Sequence, residues 1–190
     1  MIHPPRLIPC GFQNLQLHDG YLGCYRSLNI PHWMHQDVSD DYLQDLRNVL
    51  GEDADINTSG AECNSWVTHP WIYEERLHPT NWVADKSIRF LKTRDRTRPF
   101  FLMSSFVRPH QPLDPPKAYF DMYKDKELRS PASGDWDPQN GAGAAGRISD
   151  SIYGCCDAAM RKDDQWPATM RQSPMSTITL GRILTTLKED

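Results

Sequence analysis

An imidazole and a guanidinium stand one proline apart in Arg108-Pro109-His110-Gln111-Pro112, directly after an apolar run from Phe100 to Val107. A histidine titrates near neutral pH, so it can protonate a departing oxygen or contact an anion, and an arginine beside it can share the anion's charge. Pro109 and Pro112 fix φ and restrict the residues before them, which leaves His110 on a stiff loop. The run 100–107 has the length and composition of a buried strand. In open α/β sheets ligands bind at the carboxyl ends of strands, which is where this spacing puts Arg108 and His110. The plainer alternative is a loop histidine that bonds only a backbone carbonyl.

Other groups carry weaker signals. His78, with Trp82 four residues on, either reaches a substrate or serves as a capping and packing histidine. His18, His32, His35 and His69 have no spacing that forces a role. Asp40-Asp41 reads as a helix start and Asp163-Asp164 lies in a polar stretch. A hard cation needs about six or more oxygens converging from several elements, so neither dipeptide is assigned a metal. The five cysteines (Cys10, Cys24, Cys63, Cys155 and Cys156) show no CxxC or Cys/His zinc spacing. They read as reduced, buried thiols, which together with the absence of an apolar leader predicts a cytoplasmic setting.

These groups need elements to position them. Ser39 reads as an N-cap for a helix over 40–50, with Tyr42, Leu43, Leu46, Val49 and Leu50 at helical spacing and Gly51 as the stop. Thr80 can cap a helix over 80–94, its buried face Val83, Ala84, Ser87, Ile88 and Leu91, with Asp85 and Arg89 as an i,i+4 pair. A short helix should start at Pro116 and bury Tyr119, Phe120 and Tyr123. Residues 1–38 read as loop, with extended pieces at 11–17 and 21–25, and 51–79 as irregular and rich in aromatics. The Pro/Gly/Ala-rich stretch 130–147 reads as a flexible loop, 148–160 as a helix and 161–175 as polar and broken by proline. A final helix over 177–188 should bury Leu180, Ile183, Leu184 and Leu187. One parallel-type strand cannot satisfy its own edges, so the pattern predicts part of a larger α/β domain.

The bulk numbers agree with a polar globular chain. It has 190 residues, 38% hydrophobic and 10% aromatic, with a formal net charge of −4. That charge leaves no basic stripe, so nucleic acid is not expected as a partner. No apolar segment approaches the roughly 20 residues that span a bilayer, so no membrane is expected either.

The segment SFVRPHQPLDPPKAYFDMY, residues 105–123, resembles the central segment of the sulfatases, the formylglycine-dependent sulfuric ester hydrolases of the alkaline-phosphatase-like superfamily. There a buried strand precedes Pro-His-x-Pro, a further proline and a tyrosine-bearing short helix. CGFQNLQLHDGYL (10–22), DDYLQDLR (40–47), CNSWVTHPW (63–71), LHPTNWVADKSIRFL (77–91) and LGRILTTLKED (180–190) are similar to bacterial arylsulfatases in the same order. The resemblance implies an α/β fold, a partial sandwich of mixed sheet flanked by helices, with residues 1–190 as an incomplete catalytic domain. It also implies a calcium ion, a formylglycine nucleophile and a small sulfate ester as substrate. His110 would contact the sulfate and protonate the leaving oxygen, with Arg108 and His78 as substrate-binding groups.

The chain departs from the family's pattern in what it lacks. None of its cysteines or serines lies in Cys/Ser-x-Pro-x-Arg, so the formylglycine precursor is absent. The acidic pair and the later Asp-His-Gly motif that bind calcium are absent too, and 157–173 is unmatched and insertion-like. The expectation is a sulfuric ester hydrolase by family whose 190-residue chain is inactive alone. The rivals are a phosphate or phosphonate monoester hydrolase of the same superfamily, or a non-enzymatic truncated gene product.

Overall fold

The computed structural model describes residues 12–18, 40–54, 69–110, 113–123, 126–127 and 158–189, with side chains of the last segment described from 173. Its elements are α1 (Asp41–Leu50), a 3₁₀ turn (Glu75–Leu77), α2 (Pro79–Thr93), α3 (Lys117–Met122) and α4 (Ala158–Glu189). The expected loop 130–147, the helix start before 158, the extended piece 21–25, Ser39 and all five cysteines lie outside the described residues.

Each helix end follows from local chemistry. Asp40 caps α1, its carboxylate accepting from the Leu43 amide at 2.7 Å. Gly51 closes α1 at φ 103°, a conformation that disfavours any side chain, and its amide returns to the Arg47 carbonyl at 2.8 Å. At α2 the cap is His78, not Thr80: Pro79 opens the helix and the Thr80 amide donates to the imidazole Nδ1. Leu17 docks the 12–18 segment on α1 by donating its amide to Asp41 and accepting from the Tyr42 amide.

Two apolar clusters meet on α2. The first holds Tyr42, Leu46, Ala54 and Trp71, with Leu43, Tyr73, Leu77 and Trp82 against them. The second holds Ala84, Leu91 and Ile183, with Ile88, Phe90, Leu102 and Phe106 around them. The expected buried face of α2 is therefore largely realised, since Ala84, Ser87 and Leu91 are buried and Ile88 half-buried. Polar links hold the same arrangement: Trp82 Nε1 and Lys86 Nζ both reach Asp45 of α1 at 2.8 Å, and Tyr42 donates to the Leu77 carbonyl.

Three expectations are corrected. Residues 100–107 form no strand ladder among the described residues, and their burial alternates. Leu102, Ser104 and Phe106 turn inward, Ser104 bonding Ser87 of α2 at 2.7 Å, while Phe101 and Met103 stand 74% and 69% exposed. Period-two burial is the signature of an extended segment packed on one face, whereas the apolar run alone predicted burial on both. The mixed sheet of the expected α/β sandwich is accordingly not seen among the described residues.

The second correction concerns the carboxyl-terminal region. Residues 161–175 continue α4 through Pro167 and Pro174, where the prolines predicted a break. Proline removes one helical hydrogen bond, a loss that tertiary burial outweighs. Met175, Thr179 and Ile183 form that buried stripe at 2%, 1% and 7% exposure, and Thr179 bonds the Met175 carbonyl. Of the expected face, only Ile183 is buried; Leu180, Leu184 and Leu187 are exposed. Third, Asp85 pairs across to Arg182 of α4 at 2.6 Å rather than serving within α2. On α3, Tyr119, Phe120 and Tyr123 are half-buried only.

No helix among the described residues is long and apolar enough to cross a membrane. Leu91 is 1% exposed at the junction of α2 with α4 and the extended segment. Leu91→Ala is therefore expected to lower the unfolding free energy by about 2–5 kcal/mol in a urea titration; a loss within error of zero would remove this cluster from the core.

Candidate functional site

The candidate site is the turn that follows the extended segment. Arg108 is buried at 3% exposure, Pro109 is exposed and His110 is half-buried. The Arg108–Pro109 bond is cis, and the His110 amide donates to the Val107 carbonyl at 3.0 Å. Gln111 and Pro112 lie outside the described residues. The chain returns inward at Leu113 and Asp114, which are 3% and 0% exposed.

An ion pair ties the two feet of this turn. Arg108 donates from Nε to Asp114 Oδ1 at 2.8 Å and from Nη2 to Oδ2 at 3.0 Å. The planar fork of arginine fits a carboxylate in two parallel bonds, which sets both the distance and the plane. Beyond the pair, the His69 amide bonds the Leu113 carbonyl at 3.2 Å and the Trp71 amide bonds the Pro115 carbonyl at 2.9 Å. The returning strand of the turn is thus held against residues 69–71.

His78 joins the pair from α2. Its Nδ1 accepts from the Thr80 amide at 3.2 Å, so the neutral ring carries its proton on Nε2. That nitrogen lies 4.0 Å from Asp114 Oδ1, and the ring stacks edge-on against Trp71 at 5.2 Å. Burial, followed by the charge of Arg108, holds His78 well below the ordinary histidine range. Burial pushes Asp114 upward, while the Arg108 guanidinium pulls the other way. Both carboxylate oxygens accept from a cation in the bidentate geometry, which favours the ionised form of Asp114. Burial also pushes the Tyr42 phenol upward, in keeping with its role as a donor to Leu77.

The three residues singled out from sequence therefore separate. His110 stands half-buried on the turn, after the exposed Pro109. Arg108 and His78 lie in the interior, brought together around Asp114, which the sequence reading did not single out. The available signal was an arginine and an aspartate six residues apart, bracketing a proline-rich turn and flanked by Leu113 and Pro115. No three His, Cys, Asp or Glu side chains converge as a metal site among the described residues.

Comparison with known proteins gives these residues a context. No protein-family model matches the chain. An arylsulfatase of Clostridium perfringens is 53% identical over 135 residues, covering 71% of this chain and 28% of its own length. The chain belongs to the sulfatase family. Arylsulfatase J of Mus musculus is 26% identical over 132 residues, covering 64% of this chain and 21% of its own length. An uncharacterized sulfatase of Schizosaccharomyces pombe is 33% identical over 57 residues, 30% of this chain and 10% of its own length. This sulfatase segment thus spans about a quarter or less of the length of the curated relatives it matches.

The buried neutral histidine makes the segment's stability depend on pH. Below the ordinary histidine pKa of about 6.5 the unfolded chain binds a proton at this ring that the folded chain does not. Stability is therefore expected to fall as pH drops through about 6.5, by up to about 1.4 kcal/mol per pH unit from this one proton. His78→Gln keeps an acceptor for the Thr80 amide and should flatten that share of the slope. Urea titrations between pH 7.5 and 5 check this, and equal slopes in the two proteins would count against it.

Proposed function

We propose that this segment is part of a sulfuric ester hydrolase in which His110 meets the sulfate group and protonates the departing oxygen. The observation that carries the reading is the half-buried His110 on a turn whose feet, Arg108 and Asp114, are buried and paired. The 53% identity to an arylsulfatase supports the substrate class. As the oxygen of a water-derived nucleophile bonds to sulfur and the S–O bond to the leaving group breaks, that bond's electron pair goes to the departing oxygen, and a proton passed from His110 keeps an alkoxide or phenoxide from accumulating. Arg108 and His78 serve this site from the interior, because both side chains are buried and engaged away from solvent.

Calcium and formylglycine belong to the family reading. The described residues offer no ligand set for calcium, and no cysteine is among them, so the chemistry assigned here ends at His110. Residues 1–190 read as one incomplete catalytic domain, inactive alone. The outward-facing Phe101 and Met103 fit an extended segment whose neighbours come from elsewhere in such a domain.

Expressed at its full in-frame length, the protein is expected to hydrolyse aryl sulfates in preference to aryl phosphates. His110→Ala should lower kcat by about 10²–10⁴-fold for a poor leaving group and by much less for a nitrophenolate, which needs no proton. An equal loss for both leaving groups would refute the acid role, and faster phosphate turnover would move the protein to the phosphomonoesterase branch. The 190-residue chain alone should show no turnover with an aryl sulfate and calcium.

A further inference from the structure

Residues 12–18 lie on the fold without joining its core. Neither apolar cluster includes one of their side chains among the described residues. The segment has no helix or strand, and Gln13, Asn14, Gln16 and Leu17 are exposed. Contacts near its two ends hold it. Phe12 meets the ring of Phe101 at 6.0 Å. Leu17 donates its amide to Asp41 Oδ2 at 2.7 Å, and its carbonyl accepts from the Tyr42 amide at 3.2 Å. An amide in the first turn of a helix has no partner within that helix, so the Leu17 carbonyl supplies one.

His18 completes the second contact. Spacing in the sequence assigns it no role, whereas the structure seats its ring between α1 and α2. Its Nδ1 donates to Asp40 Oδ2 at 3.2 Å, and the ring lies edge-on to Tyr42 at 4.6 Å and to Trp82 at 6.5 Å. The side chain of His18 is 3% exposed and that of Asp40 6%. The other oxygen of Asp40 caps α1 at the Leu43 amide, so the acceptor is held in place by the helix it starts. Trp82 is tied to α1 in turn through Asp45. The socket for the imidazole is thus built by the two helices. A segment anchored by polar bonds and a seated ring, and not by burial in the core, opens at a lower free energy than the core does.

We propose that His18 is a latch and residues 12–18 the strap it locks. With the imidazole seated on Asp40, Tyr42 and Trp82 the strap is closed on α1, and with the imidazole withdrawn the strap lifts while the helices stay packed. Closed, it joins the seam of α1 and α2 to Phe101, near the start of the extended segment that leads to the candidate site. The latch does not rest on the acid role given to His110.

Amide hydrogen exchange on the 190-residue chain, read by NMR, tests this. In the wild type the Leu17 and Tyr42 amides are expected to exchange through a local opening that depends less steeply on urea than exchange at Leu91, because lifting a strap exposes less surface than unfolding the core. His18→Ala should speed Leu17 and Tyr42 by about tenfold or more and leave Ala84 and Leu91 unchanged. His18→Phe keeps a ring without the Nδ1 donor and should speed the same two amides by a smaller factor. If His18→Ala unfolds, the wild-type urea dependence and His18→Phe carry the comparison. No protection at Leu17 and Tyr42 in the wild type, or a urea dependence equal to that of Leu91, would overturn the proposal. So would a folded variant in which Leu17 and Tyr42 keep their rates, or in which Leu91 accelerates as much as they do.

Discussion

The bidentate contact between Arg108 and Asp114 is the constraint on which the rest of the site depends. A guanidinium cannot lose its proton in a protein interior, so once Arg108 is buried a carboxylate must come to it. Only five residues lie between the partners; of these Pro109 is exposed, His110 half-buried and Leu113 buried.

The platform beneath the turn is α2. Its first turn carries His78 to Asp114, its middle carries Ser87 to Ser104 of the extended segment, and Leu91 packs near its end against the cluster shared with α4. One helix therefore registers both the start and the finish of the segment that leads to the turn. Trp82 and Lys86 on the same helix reach back to α1, so the first cluster is tied to the same reference. This explains why a cap is built from a histidine here: the residue that starts α2 also has to face the buried carboxylate.

Much of this was legible in the sequence where the signal was local. The helical spacing of Tyr42 and Leu46, and of Ala84, Ser87 and Leu91, gives one-sided burial in any compact fold, and Gly51 gives a stop at α1. The resemblance around Pro-His-x-Pro likewise pointed to the sulfatases, with which the chain shares its relatives. Other features were not local. Whether 100–107 is buried on one face or two depends on what lies beyond it, and an apolar run reads the same in both cases. The persistence of α4 past Pro174 depends on the seat that Met175, Thr179 and Ile183 find against the rest of the fold.

The sequence by itself determined the family, the two helices before the turn, and the presence of a histidine held between prolines, because these rest on residue type and short-range spacing. Only the tertiary structure decided where each charged group sits. Arg108 and His78 read from the sequence as substrate-binding groups, and the structure buries both around Asp114. The physical reason is that a side chain's role is set by whether water or protein satisfies it, and that is a property of the packed chain.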